Sequence, residues 1–320
     1  MKLLGIDFGC VLDASGTEGF FGEGYPYQKA LGINFSGATF VAKTMTMRPR
    51  AGNMRMRRDG SLPWWPLKPD CIVVKLRKGV ALNAVGLSNP GAESLLSQGK
   101  WQKRKDPFFL SFMAISATKE ERMKELEEFV ELLLLHKNYY RFSHFGLQVN
   151  LSCPNVGLHP ERLVREAANV LKTASILDIP IMLKFNILLP VDVAREISKH
   201  PVCDALCVSN IIPWGALPDQ IDWAGLFGSK ESPLKKYGGG GLSGAPLLPL
   251  VKRWVRSARF AGVAKPINAG GGILHPQDVD ALDQAGADSV FIGSVSFLRP
   301  WRVREIIKRA RQIYGYNQPK

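Results

Sequence analysis

Side chains that could take part in chemistry recur along this chain, and each group directly follows a short run of apolar residues. They are hydroxyl, amide, ammonium and thiol side chains, together with glycines, a set suited to holding a polar ligand and moving protons. The groups are Ser15 with Gly16, Lys43 with Thr44, Asn150 to Asn155 (which includes Cys153), Lys184, Ser209 with Asn210, Gly270 to Gly272, and Gly293 with Ser294. A whole series of such groups is what a polar cofactor and its substrate require.

The last two groups indicate a phosphate site. Gly271, Gly272 and Gly293 leave backbone N–H groups accessible near predicted helix starts, and Ser294 adds a hydroxyl. Such N–H groups suit a phosphate dianion. Alternatively, the glycines only make tight turns. The G-x-G-x-x-G pattern of dinucleotide-binding folds is absent, so no Rossmann-type NAD site is expected.

Eight apolar runs predict the strands that would position these groups, and amphipathic stretches between most of them predict helices. The predicted strands are Val11–Ala14, Thr39–Lys43, Phe108–Ala114, Gly146–Leu151, Ile179–Phe185, Ala205–Ser209, Pro266–Ala269 and Ser289–Ile292. The predicted helices are 118–140, opened by a capping box of Thr118 and Glu121, then 191–199, 247–260 and 276–285, and two that begin at Pro160 and Pro300. Runs that are apolar throughout are typical of parallel strands buried on both faces.

Eight predicted strands that alternate for the most part with helices in 320 residues favour an α/β fold of one kind, a closed (β/α)8 TIM barrel. In this fold the active site forms at the carboxyl ends of the strands. We expect one domain, residues 1–320, because no repeat or linker interrupts the alternation. Two segments, at about 45–95 and 211–242, are longer than simple connections, and we interpret them as lids or binding loops.

Composition excludes several classes of protein. The net charge of +14 fits either a solvated surface or a field that attracts anionic ligands. Zinc-finger, helix-turn-helix and aromatic RNA-binding motifs are absent, so no nucleic-acid partner is expected. The five cysteines form no C-x-x-C pair, so no metal site is predicted. No apolar run approaches about 20 residues, and the N-terminus lacks the pattern of a secretory signal. We therefore expect a cytoplasmic protein without a membrane span.

The stretch Gln148–Gly157 (QVNLSCPNVG) carries a resemblance to a known family. Together with Lys43 and Thr44 upstream and the GGGLSG and AGGGI segments downstream, it resembles the dihydroorotate dehydrogenase family of FMN-binding barrels. The resemblance runs over almost the whole chain, from Asp13 to Ser294. It implies an oxidoreductase of pyrimidine biosynthesis that oxidises dihydroorotate to orotate with FMN as cofactor.

The resemblance also implies roles for individual residues. Those that would contact FMN are Ser15, Lys43, Thr44, Asn150, Lys184, Ser209, Gly244, Gly271, Gly272, Gly293 and Ser294. Those that would contact the substrate are Lys43, Asn83, Gly86, Leu87, Asn150, Asn155 and Asn210. Lys184 would lie at the N1/O2 edge of the flavin, where a positive charge stabilises the anionic reduced ring. Asparagine suits a dihydropyrimidine, because its amide donates and accepts side by side.

In the implied mechanism Cys153 removes the proton from C5 of dihydroorotate while the C6 hydrogen passes as hydride to N5 of FMN. A cysteine at this position and no N-terminal helical extension match the soluble, class 1 branch of the family. The resemblance implies a homodimer, and the electron acceptor is either fumarate or a flavin/iron–sulfur partner subunit.

One residue departs from the family pattern. The family usually has serine or threonine after the asparagine of the sixth strand, and here that residue is Ile211. A lost hydrogen bond of this kind costs on the order of 0.5–1.5 kcal/mol. The departure leaves open a flavin barrel that acts on another cyclic amide, such as uracil or dihydrouracil. A basic, non-catalytic binding module is a further alternative, against which Cys153, Lys43 and Lys184 argue together.

Overall fold

The computed structural model describes residues 1–62, 69–139, 144–151 and 160–315. Its strands are β1 (Lys2–Leu3), β2 (Ile6–Asp7), β3 (Val11–Asp13), β4 (Ile72–Lys75), β5 (Val80–Asn83), β6 (Phe108–Phe112), β7 (Phe145–Asn150), β8 (Ile181–Phe185), β9 (Ala205–Val208), β10 (Ile212–Pro213), β11 (Gly241–Gly244), β12 (Ile267–Gly270) and β13 (Ser289–Ile292). Its α-helices are α1 (Pro26–Ala30), α2 (Ala92–Leu96), α3 (Lys119–Tyr139), α4 (Pro160–Ala174), α5 (Val191–Ser198), α6 (Trp223–Phe227), α7 (Leu247–Phe260), α8 (Pro276–Asp283), α9 (Val295–Leu298) and α10 (Val303–Gly315).

Seven strands form a parallel sheet in the order β3-β13-β12-β9-β8-β7-β6. Residues 39–45 close this sheet between its two edge strands, because Thr39 pairs in parallel with Leu12 of β3 and Val41 pairs with Phe109 of β6. The segment was predicted as a strand, and it makes ladder contacts on both sides without forming a regular strand. The result is the eight-stranded barrel that the sequence predicts.

Apolar side chains fill the barrel and the layer between it and the helices. Leu12, Val41, Phe109, Met182 and Phe291 belong to one buried cluster inside the barrel. The β1–β2 hairpin adds residues 1, 3 and 8 to this cluster, so the hairpin covers one end of the barrel. A larger cluster joins the outer faces of the strands to the helices. Burial of this kind contributes about 25 cal/mol per Å² of apolar surface.

Local sequence signals predict several of the helices well. Thr118 Oγ1 accepts a hydrogen bond from Glu121 N at 3.2 Å, and Glu121 Oε2 accepts one from Thr118 N at 3.3 Å, which is the predicted capping box of α3. Phe129 of α3 stacks on Phe112 of β6 with 4.0 Å between ring centroids. The last predicted helix differs slightly, because Pro300–Arg302 forms a 3₁₀ turn before α10 begins at Val303.

The two long segments are more regular than the sequence suggests. Both contribute to a second, antiparallel sheet in the order β10-β11-β5-β4. Residues 45–95 also contain helix α2, and residues 211–242 contain helix α6. These segments therefore contain regular structure, and their interpretation as lids or binding loops stays a prediction; the second sheet holds Asn83 opposite Gly241. Among the helices in the described parts of the chain, none is long and apolar enough to cross a membrane.

Candidate active site at the carboxyl ends of the strands

Two of the candidate asparagines lie side by side where neighbouring strands end. Asn150 is the last residue of β7 and pairs with Lys184 of β8. Asn210 follows β9 and donates from Nδ2 to Asn150 Oδ1 at 2.8 Å. The backbone holds this arrangement, because Asn210 N donates to Phe185 O at 3.0 Å and Leu151 N donates to Lys184 O at 2.7 Å. Residues that are far apart in the sequence thus form one polar surface.

Lys184 brings a buried cation to this surface. Its side chain is only 6% exposed and its Nζ lies 5.0 Å from the centroid of the Phe291 ring. Burial lowers the pKa of Lys184 from its ordinary value, and the nearby Cys207 and Asp13 act in the opposite direction. A lysine held in this way favours a ligand that brings negative charge, because such a ligand restores the stability of the ammonium form.

Lys43 is a second buried lysine at the same end of the barrel. Its Nζ donates to the carbonyl oxygen of Ser88 and lies 5.0 Å from the centroid of the Phe20 ring. Burial lowers the pKa of Lys43 to about 8. At neutral pH the side chain is therefore mostly charged, and it loses that charge more readily than an exposed lysine does.

Ser15 and Thr44 are fixed by a chain of hydroxyl contacts that sequence reasoning did not find. Ser15 Oγ donates to Ala42 O at 2.9 Å and lies 2.8 Å from Thr44 Oγ1. Thr44 Oγ1 in turn lies 2.9 Å from Ser111 Oγ, and Ser111 Oγ contacts Gln148 Oε1 at 3.4 Å. Ser111 and Gln148 are polar residues inside otherwise apolar strands, and this was the signal that could have identified them.

Asn83 and the loop after it form a separate part of the site. Asn83 ends β5, and the chain then turns through positive φ at both Gly86 (69°) and Leu87 (56°). Arg50 Nε donates to Gly86 O at 2.8 Å, and Asn53 Nδ2 donates to Ala84 O at 2.7 Å. The non-glycine Leu87 is held in a conformation that costs about 1–2 kcal/mol, so these contacts from the 45–95 segment stabilise the turn. Neither Arg50 nor Asn53 was predicted to take part.

Gly244, Gly271 and Gly272 come together at the N-terminus of α7. A Cβ on Gly272 would lie 2.7 Å from Leu248 N and 2.8 Å from Gly244 O, and one on Gly244 would lie 2.2 Å from Gly79 O. All three candidate glycines have positive φ. These glycines lie against the start of the 14-residue helix α7, and a helix N-terminus is a usual setting for a bound phosphate. This cradle fits the phosphate of a flavin nucleotide.

The remaining candidates in the described residues lie next to this cradle. Ser209 N donates to Gly270 O at 2.8 Å and Ser209 Oγ donates to Asn210 O, so the end of β9 is fixed to the end of β12. A Cβ on Gly293 would lie 2.7 Å from the Cβ of Ala14, and Ser294 is the N-cap residue of α9. Cys153 and Asn155 lie outside the described residues, so the prediction of a catalytic base at Cys153 stays a prediction.

The fold and the site together define a class of protein, a (β/α)8 barrel with polar side chains and a glycine cradle at the carboxyl ends of its strands. A solved structure with the same fold is that of a DHODH from Eimeria tenella in complex with ferulenol, at a TM-score of 0.67 and 19% identity over 98% of this chain and 84% of that chain. This likeness confirms the predicted barrel fold.

Comparison with known families is more specific. A family model described as "Dihydroorotate dehydrogenase" matches residues 1–313. A "Dihydroorotate dehydrogenase B (NAD(+)), catalytic subunit" from Caldicellulosiruptor saccharolyticus is 32% identical over 97% of this chain and 92% of that protein. A protein of the same description from Caldicellulosiruptor bescii is 30% identical over 92% of this chain and 87% of that protein. Another from Bacillus pumilus is 26% identical over 94% of this chain and 88% of that protein.

The chain belongs to the dihydroorotate dehydrogenase family. This membership confirms the family and the enzyme class predicted from the sequence, an oxidoreductase acting on dihydroorotate in pyrimidine biosynthesis. The family is generally flavin-dependent, in keeping with the glycine cradle at α7.

Proposed function

We propose that this chain oxidises dihydroorotate to orotate with FMN bound at the barrel mouth and with Cys153 as the base. The observation that carries the proposal is the meeting of Asn150, Asn210 and Lys184 at neighbouring strand ends, close to a glycine cradle that suits a phosphate. An amide pair can hold the C=O and N–H edge of a pyrimidine, and the buried lysine favours a ligand that gains negative charge.

FMN is the flavin that the site supports best. Gly244, Gly271, Gly272, Gly293 and Ser294 would hold its phosphate, because a side chain at the first three positions would fill the space the phosphate needs or disturb the backbone around it. The residues that would surround its ring are Ser15, Lys43, Thr44, Asn150, Lys184 and Ser209. When bound there, FMN supplies an acceptor for hydride.

The substrate would be held from both sides of the mouth. Asn150 and Asn210 would bind the ring from the strand ends, and Asn83 and Asn155 would bind it from the loops. The chain turns with positive φ at Gly86 and Leu87, and the N–H groups of this turn would face the substrate carboxylate. Lys43 would add a positive charge at this position. Cys153 Sγ would then take the C5 proton, since a thiolate is a competent base near neutral pH.

The electron acceptor that the comparisons favour is a partner subunit. The relatives are described as catalytic subunits, and their names include NAD(+), which fits a chain that passes its electrons to a second protein rather than to fumarate. A flavin/iron–sulfur subunit that reduces NAD(+) would meet this need. A homodimer and a cytoplasmic location stay predictions.

Anaerobic addition of dihydroorotate to the purified flavoprotein tests the proposal. Loss of the oxidised flavin absorbance, with formation of one orotate per flavin, is the expected result. Persistence of the absorbance with dihydroorotate, together with bleaching by dihydrouracil, would instead support an enzyme for another cyclic amide. A protein that neither contains nor takes up flavin would contradict the proposal as a whole.

Removal of the amide at position 83 is expected to weaken product binding without loss of flavin. Asn83→Ala removes one or two hydrogen bonds of about 0.5–1.5 kcal/mol each, so the orotate dissociation constant should rise by about 10-fold. Titration of the flavin absorbance with orotate measures this change. Asn34→Ala is the matched control, because Asn34 is exposed and only accepts from Ser36 N at 2.6 Å. Loss of flavin in Asn83→Ala would mean that Asn83 serves the cofactor instead.

The lowered pKa of Lys43 predicts how orotate binding depends on pH. The pKa of Lys43 is lowered to about 8, so in the free enzyme the charged form falls from about nine-tenths at pH 7 to about one-tenth at pH 9. Because the anionic ligand favours the charged form, orotate should bind about 10-fold more weakly at pH 9 than at pH 7. Orotate titrations across this range test the expectation, and Lys43→Met should bind weakly at both values with a much flatter profile. An unchanged profile in that variant would assign the pH dependence to another group.

A further inference from the structure

Ile211 is apolar and partly exposed, whereas its sequence neighbours are polar or fully buried. It directly follows Asn210, whose amide donates to Asn150, and it directly precedes β10. The next residue, Ile212, is fully buried, whereas Ile211 remains 40% exposed at the barrel mouth. A partly exposed, β-branched apolar side chain therefore adjoins Asn210, one of the residues that the proposed function assigns to the substrate.

The position of the Ile211 side chain is set by Gly241 of β11. A Cβ on Gly241 would lie 2.4 Å from Ile211 Cδ1 and 2.6 Å from Cγ1, so the isoleucine lies directly against the glycine backbone. Gly241 is absent from the residues with positive φ, so steric space and not backbone conformation explains the glycine. In the β11–β5 pairing Gly241 lies opposite Asn83. Ile211 thus follows Asn210 in the sequence and lies against the residue that pairs with Asn83.

The segment that carries Ile211 is rigid. Trp214 N donates to Gly240 O at 2.9 Å, next to the β10–β11 pairing. The Trp214 ring packs on Trp223 with 4.8 Å between centroids and on Phe227 with 5.4 Å. These contacts hold the backbone just after Ile211.

We propose that Ile211 determines the specificity of the substrate site by giving it one apolar wall. The proposal rests on the proposed function, since it concerns the ring that the asparagines bind. A ring that turns an N–H or C=O group towards Ile211 leaves that group without a partner, which weakens binding. A ring that turns a C–H or methyl group towards it gains apolar contact. The site should thus accept dihydroorotate and also tolerate an alkyl group on the edge of the ring that meets this wall.

Equilibrium binding to the flavin-loaded protein tests this inference without turnover. The probes are orotate, 3-methylorotate and 5-methylorotate, followed by the change in flavin absorbance. We expect the wild-type protein to bind one of the methylated rings at least as tightly as orotate. A preference for orotate of more than about 10-fold over both analogues would overturn the inference, and this measurement needs no variant.

Two variants give a second readout. Ile211→Thr replaces part of the apolar side chain with a hydroxyl. It should tighten orotate binding by about 3- to 10-fold and weaken the binding of the methylated ring that the wild type favours. Ile211→Val is the apolar comparison: because it keeps the wall apolar, it should keep the wild-type order of affinities among the three rings, whereas Ile211→Thr should favour orotate. Equal constants for the threonine and valine variants would show that residue 211 does not contact the ring. If orotate binds to no form of the protein, the proposed function fails as well, and the two failures are thereby distinguished.

Discussion

The Cys153→Ser variant is expected to keep its bound flavin and to be reduced by dihydroorotate at least about 100-fold more slowly than the wild type near pH 7, because a positioned general base contributes about 10²–10⁴-fold. A free thiol has a pKa of about 8.5, whereas a serine hydroxyl is a far weaker acid. The wild-type rate should therefore rise with pH until the thiol has ionised, and the rate of the serine variant should continue to rise at higher pH. Stopped-flow measurement of the flavin absorbance from pH 6 to pH 10 records both effects.

Cys203→Ser is the matched control for this experiment. Cys203 is fully buried just before β9, away from the strand ends that form the site, and burial raises the pKa of its thiol to about 12. Its Sγ lies 3.8 Å from Ala205 O, so a hydroxyl there has an acceptor within reach. The control should reduce its flavin at the wild-type rate. A Cys153→Ser protein with the same rate and the same pH profile as this control would remove Cys153 from the mechanism.

The barrel could be predicted because its signals are local. The strand Ser289–Ile292 and the helix Leu247–Phe260 have the predicted bounds, since an apolar run and an amphipathic stretch each carry their own period. The capping box of Thr118 and Glu121 depends on two residues only three positions apart. The predicted strand Thr39–Lys43 is not a regular strand in the structure, but the segment lies between β3 and β6, where the barrel needs one.

The antiparallel sheet could not be predicted in the same way. Its strands β5 and β11 come from opposite halves of the sequence, and neither is stable without the other. Strand β4 (Ile72–Lys75) is only four residues long, and a strand this short says nothing about its partner. Pairing of this kind depends on tertiary packing, which a single sequence does not display.

The candidate site, too, was predictable where its residues follow from a general rule and not where they depend on tertiary contacts. Candidates at strand ends, such as Asn150 and Asn210, followed from the general rule for barrels, and the structure brings them into contact at 2.8 Å. The residues that support them did not follow from any rule. Ser88 accepts from Lys43 and Arg50 holds the turn at Gly86, and both contacts join segments that only the second sheet and its loops bring together. The unusual residue Ile211 was visible in the sequence, but its contact with Gly241 was not.

The Gly272→Ala variant is expected to lose its flavin, and with it all activity. The added Cβ would lie 2.7 Å from Leu248 N and 2.8 Å from Gly244 O, both of which are backbone atoms that cannot turn aside as a side chain can. The φ of +83° adds strain of about 1–2 kcal/mol for any residue other than glycine. The methyl group would therefore displace the start of α7 from Gly244 and close the cradle that we assign to the phosphate.

A matched glycine separates this steric effect from backbone strain. Gly262 has nearly the same conformation, with φ of +88°, but nothing lies within 4 Å of the position its Cβ would take. Gly262→Ala should thus lose about 1–2 kcal/mol of stability and keep a full complement of flavin. The flavin-to-protein ratio of the purified variants and their thermal unfolding measure the two effects independently. If both variants lose stability equally and both retain flavin, the phosphate lies elsewhere on the barrel, and Gly272 serves only the turn between β12 and α8. If Gly272→Ala alone is purified without flavin yet remains folded, the N-terminus of α7 is where the cofactor binds.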